Sequence, residues 1–158
     1  MIRTFQLLIF FITLLSFSNA KSQTNEKLSE EHLKFVIENY QWNSEDVMII
    51  NFRQPKSSCH YDNYENLKQS SDWWTEFYSE MDLENIHNIF VYSDSNKAKA
   101  VIDSKNYFSD INNFFLENFF VKNRSCFGIL VINKDGDFKK KSGEYTQEDI
   151  IELVKNLK

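Results

Sequence analysis

Proline and glycine are nearly missing from this chain, with one Pro and three Gly among 158 residues. So few glycines leave no room for a glycine-rich phosphate loop, and no Gly-x-Ser-x-Gly nucleophile elbow occurs. Cysteine is equally scarce. Only Cys59 and Cys126 are present, and neither belongs to a Cys-x-x-Cys pair. The three histidines, His32, His60 and His87, show neither i, i+4 spacing to one another nor a Cys-x-x-Cys companion, so no metal site and no cofactor are expected. Eighteen basic residues against 23 acidic ones give a net charge of −5, which excludes the electrostatics of nucleic-acid binding. What the chain has in plenty is aromatic residues: 15 Phe, seven Tyr and three Trp supply the core of one domain.

The single long apolar run, Leu7 to Phe17, follows Arg3 and precedes Ser18-Asn19-Ala20, the layout of a cleaved secretory signal. It is near half of the roughly 20 apolar residues that a membrane span needs. Residues 1–20 are therefore expected to be removed, with no membrane span left afterwards. The mature protein is expected in the periplasm or outside the cell, where disulfides persist. Residues 21–28 are polar and expected to be loose, and one domain is expected over 29–158.

Along that domain the hydrophobic spacing changes period several times. Leu33, Val36, Ile37 and Tyr40 recur at helical intervals after Ser29. Val47 to Phe52 is a continuous apolar run, the pattern of a fully buried strand, which Pro55 forces to end by Arg53 or Gln54. Asp62 and Glu65 form a capping-box pattern ahead of Leu67, Trp74, Phe77, Tyr78 and Met81, a second helix. Trp73 cannot share the stripe with Trp74 and is expected on a flank. Ile86 to Tyr92 reads as a strand. Lys97 to Asp103 and Ser109 to Phe120 read as helices, the latter buried on two sides by its phenylalanines. Phe127 to Ile132, the Asn133-Lys134-Asp135-Gly136 turn and Asp137 to Lys141 form a hairpin. Lys139-Lys140-Lys141 suits a guarded sheet edge. Thr146 caps a last helix with Ile150, Ile151, Val154 and Leu157 on one face.

This order, together with the segments VMIINFRQPKSSCHYD and CFGILVINKDGDF, resembles the thioredoxin-like superfamily, in its secreted redoxin-like branch. The resemblance implies an α/β fold: three layers, α/β/α, with a central mixed sheet and a C-terminal β-hairpin plus helix. It also implies chemistry at the start of the helix after the first strand, and there the chain departs from the family. The frames Lys56-Ser57-Ser58-Cys59 and Cys59-His60-Tyr61-Asp62 each carry one cysteine where the family has two. Phe127 stands where the family places a cis-proline, directly after Cys126. A cis bond at a non-proline residue costs about 3 kcal/mol, so a trans bond is expected there.

The implied fold packs the loop of Cys126 against the turn of Cys59. Two alternatives follow, a Cys59–Cys126 bridge or two separate buried thiols. Missing hallmarks point first to a non-catalytic binding or accessory module of the cell envelope, with a protein partner. The alternative is a thiol–disulfide oxidoreductase in which Cys59 is the nucleophile and Cys126 the resolving cysteine, with His60 and Phe127 as binding residues.

Overall fold

The computed structural model describes residues 26–43, 45–59, 63–120 and 125–157. The leader expected over residues 1–20, and His60 and Asp62, lie outside the described residues. Its elements are β1 (Glu26–Lys27), α1 (Glu30–Asn39), β2 (Val47–Arg53), α2 (Leu67–Ser79), β3 (Ile86–Tyr92), β4 (Tyr107–Ser109), α3 (Phe114–Asn118, after a 3₁₀ turn at Ile111–Asn113), β5 (Phe127–Asn133), β6 (Asp137–Ser142) and α4 (Gln147–Lys155).

The run Val47–Arg53 takes the centre because apolar side chains on both faces can only be covered from both sides. Every residue of β2 is buried. It pairs in parallel with β3, Val47 opposite Ile86 and Arg53 opposite Tyr92, and antiparallel with β5, Val47 opposite Asn133 and Arg53 opposite Phe127. The sheet runs β1-β6-β5-β2-β3-β4. Alternation along the strands sorts the core into two layers. Met48, Ile50 and Phe52 face α1 and α3, among Val36, Tyr40, Phe115 and Phe120. Val47 and Ile49 face α2 and α4, among Trp74, Tyr78, Ile150 and Val154. Asn51 and Arg53 share this second face with them, since they stand at the same parity on the strand.

Several elements start or end where local hydrogen bonding overrules spacing. Helix α2 begins at Leu67, later than the Asp62–Glu65 pattern suggests, because the Asn63 side chain accepts from the backbone N–H groups of Glu65 and Asn66 and holds a turn there. The expected helix over 97–103 is a set of turns. Asp103 accepts the N–H groups of Lys105, Asn106 and Tyr107, and so launches β4, a strand the spacing does not show. The helix expected over 109–120 shrinks to α3. Asn112 and Asn113 both sit in the left-handed region, at φ 56° and 55°, and the buried Asp110 carboxylate takes the N–H groups of Phe115 and Leu116 in place of a longer helix. Burial pushes the Asp110 carboxyl above the usual range, the two backbone donors acting against it.

In α4 the capping box of Thr146 and Asp149 forms as read, but Ile151 turns to solvent while Ile150 and Val154 are buried. Trp73 is 54% exposed beside buried Trp74. At the other end of the chain, Glu26 and Lys27 pair with Phe138 and Asp137, and Leu28 is buried, although this stretch reads as loose. Lys140 and Lys141 point to opposite faces of β6, one bonding the Phe119 carbonyl and the other Asp149.

Gly128 is the one position where the core leaves no room for a side chain. It lies opposite Phe52, whose ring stacks on Phe120 at 4.6 Å, and a Cβ there would meet Phe120 Cε1 at 2.6 Å and the Lys141 carbonyl at 3.1 Å. Replacing Gly128 with Ala should therefore lower stability by about 1–3 kcal/mol through overpacking, read as an earlier midpoint in urea unfolding.

Candidate functional site

Strand β2 ends at Arg53 because Pro55, two residues on, has no N–H to offer the ladder. The chain then turns: the Cys59 N–H donates to the Lys56 carbonyl at 3.0 Å, and the Lys56 N–H points back at Cys59 Sγ at 3.2 Å. On the facing strand, the Gln54 N–H donates to the Cys126 carbonyl at 2.7 Å, which fixes the residue before β5 against the same turn. The two sulfurs meet. Cys59 and Cys126, 67 positions apart, form a disulfide with a Cα–Cα distance of 5.9 Å, within the usual bridging range. Their settings differ, Cys59 being 3% exposed and Cys126 half-buried.

The strand order β6-β5-β2-β3 follows from this connectivity: two parallel strands joined through a helix, then an antiparallel strand added on the other side of the first, closed by a hairpin and a helix. The fold is thioredoxin-like. The disulfide lies at the C-terminal end of its central strand, where the turn into α2 meets the head of β5. No family model and no curated protein sequence matches the chain. Solved structures of similar shape include StoA from Bacillus subtilis (16% identity over 72% of this chain and 86% of that one, TM-score 0.48). Another is the exposed lipoprotein thioredoxin Etrx1 from Streptococcus pneumoniae (20% identity, 77% and 90%, TM-score 0.48).

Phe127, the residue in the proline position, is half-buried and belongs to β5, and no cis peptide occurs among the described residues. Its ring walls a compartment that the sequence reading did not anticipate. Inside stands Arg53, 1% exposed, with its guanidinium carbon 3.9 Å from the Trp74 ring centre, 5.3 Å from Phe90 and Phe127 and 5.8 Å from Tyr145. One nitrogen, Nη2, donates to Tyr145 Oη at 2.9 Å. Tyr145 passes its own proton toward Asn51 Oδ1 at 2.8 Å, and Tyr78 donates to the same oxygen at 2.5 Å. Asn51 Nδ2 in turn bonds Asn88 Oδ1 and the Ile89 carbonyl. Burial pushes the Tyr78 hydroxyl well above its ordinary value, so it stays a donor.

The network satisfies Asn51 but not Arg53. Nε and Nη1 are buried without an acceptor, and among the described residues no carboxylate pairs with the guanidinium. Stacking on Trp74 returns about 2 kcal/mol of a desolvation penalty of several kcal/mol. The signal for this residue was present in the sequence, since Asn51 and Arg53 are polar positions at strand period inside an otherwise apolar run.

The remaining candidates separate. His87 Nε2 lies 2.9 Å from the Tyr40 carbonyl, and its other ring nitrogen is 3.8 Å from Glu45, a contact that ties α1's end to β3. His32 lines a cavity of about 250 Å³ with Glu31 and Glu117, and neither cysteine is among its lining residues. Among the described residues no three His, Cys, Asp or Glu side chains gather as for a metal.

Serine at either Cys59 or Cys126 opens a long loop and should cost about 4 kcal/mol of stability on the chain-entropy account, measured by denaturant unfolding against the oxidised parent. Tyr145→Phe should cost about 1–3 kcal/mol, because it strips Arg53 of its hydroxyl acceptor, whereas Tyr78→Phe should cost less, since Asn51 Oδ1 keeps Tyr145 as a donor.

Proposed function

We propose that this is an exported thioredoxin-like domain that exchanges disulfides through Cys59 and Cys126, a cross-loop pair standing in for the absent Cys-x-x-Cys. The observation that carries this reading is the bond itself, placed at the end of the central strand with one cysteine buried and the other half-buried. In the oxidised protein, an incoming thiolate attacks the more accessible sulfur, that of Cys126. A mixed disulfide forms, the Cys59–Cys126 bond breaks, and Cys59 leaves as a thiolate that the Lys56 N–H is positioned to receive. A second thiol of the substrate then displaces Cys126. The substrate ends as a disulfide and the protein as a dithiol, and the reverse sequence reduces a substrate disulfide.

On this account Cys126 takes the exposed role and Cys59 the buried one, the converse of the order suggested by helix position alone. Phe127, next in the chain to Cys126, serves as a contact for a protein substrate. The rival role, a non-catalytic binding or accessory module of the envelope, draws its support from the burial of Cys59 and from the missing second cysteine in both local frames. In that role the same bond fastens two loops into a platform for a protein partner.

The test is reduction of a disulfide-linked peptide by the pre-reduced protein, followed with single-serine variants. Cys59→Ser should trap a mixed disulfide on Cys126, visible as an added mass that reductant removes. Cys126→Ser should trap none at a comparable rate. A pre-reduced parent that leaves the peptide oxidised would sink the exchange reading and leave the accessory role.

A further inference from the structure

We infer that Arg53 sets the acidity and the reduction potential of the Cys59–Cys126 pair, an inference that rests on the exchange reading above. Three observations lead to it. Arg53 is the last residue of β2, directly opposite Phe127, and its chain neighbour Gln54 is bonded to Cys126, so Arg53 stands one residue from Cys126 across the β2–β5 ladder. The guanidinium is buried and keeps two donors, Nε and Nη1, without acceptors. Among the described residues, the guanidinium touches aromatic or phenolic groups: Trp74 from α2, Phe90 from β3, Phe127 from β5 and Tyr145 ahead of α4. The carboxylate that follows β3, Asp94, is engaged by Lys97.

A guanidinium cannot lose its proton in a protein, so this charge is present in both redox states. What changes between them is the pair. The disulfide is neutral; at neutral pH, two electrons and one proton convert it to one thiol and one thiolate. A buried cation with no carboxylate partner among the described residues favours the state that supplies an anion nearby, since Coulomb interactions are weakly screened there. The thiolate is stabilised over the thiol, and the reduced pair over the bond. Arg53 acts through the sulfurs and not on a substrate. It makes a largely buried bridge easier to reduce than its burial alone would dictate.

The experiment is a redox titration of the full mature chain against glutathione buffers, read by alkylation and intact mass, for the parent, Arg53→Lys and Arg53→Met. At pH 7, Arg53→Met should shift the equilibrium about tenfold toward the disulfide, equal to roughly 30 mV for a two-electron couple, and Arg53→Lys should stay within about threefold. At pH 5, where both thiols are protonated, the difference should close. That convergence separates a field effect from mere repacking, which would act at both pH values. A folded Arg53→Met with the parent's constant at pH 7 overturns the inference.

Should Arg53→Met not fold, the parent alone decides. Proton uptake on reduction must fall from two to one with a midpoint at about pH 6, where thiolate formation favours the reduced pair about tenfold at pH 7, and a midpoint above about pH 7 overturns the inference. The peptide-reduction assay on the same samples keeps the two claims apart. A potential that responds to Arg53 in a protein that reduces no peptide leaves this inference standing and removes the exchange function.

Discussion

A strand buried on both faces is the constraint on which this structure depends. Val47–Arg53 must find apolar cover above and below, and the two helical layers, α1 with α3 and α2 with α4, are that cover. The same constraint makes any polar residue on the strand costly. Asn51 meets the cost by exhausting its hydrogen-bonding capacity on Tyr78, Tyr145, Asn88 and Ile89. Arg53 meets it only in part, through a ring stack and one hydroxyl. Among the described residues, then, an incompletely compensated charge stands at the end of the central strand, one residue from Cys126 across the ladder.

The strands of the sheet were legible because their signals are local and strong. Continuous apolar runs bounded by polar turns mark β2, β3 and β5 almost to the residue, and Asn133 to Gly136 carries its own turn chemistry, with Gly136 at φ 85° and Asn133 accepting two backbone N–H groups. That Cys59 and Cys126 are neighbours was implied by the resemblance in element order, not by any motif, and whether they bond was left open by the sequence. Helices were harder. Their spacing is imitated wherever aromatic residues are dense, and around Phe114 to Phe120 the apolar residues wrap a short, kinked segment from several directions.

The part of the site that sequence reading missed is the part made of ordinary residues. Trp74, Phe90, Phe127 and Tyr145 come from four separate elements and converge only when the sheet closes, so no spacing links them to Arg53. Asp110 is similar: its carboxylate replaces helical backbone bonds for residues five and six positions ahead, a reach that cap patterns do not describe.

The position of the bridge also has a bearing on how the chain matures. Everything from α2 through α3 lies between the two cysteines, while α1, the hairpin and α4 lie beyond them. Sulfur can reach sulfur only when β5 has docked antiparallel beside β2 in correct register, and β5 is made late. Oxidation therefore seals a sheet that has already assembled, and a folding chain reaches that point as a dithiol.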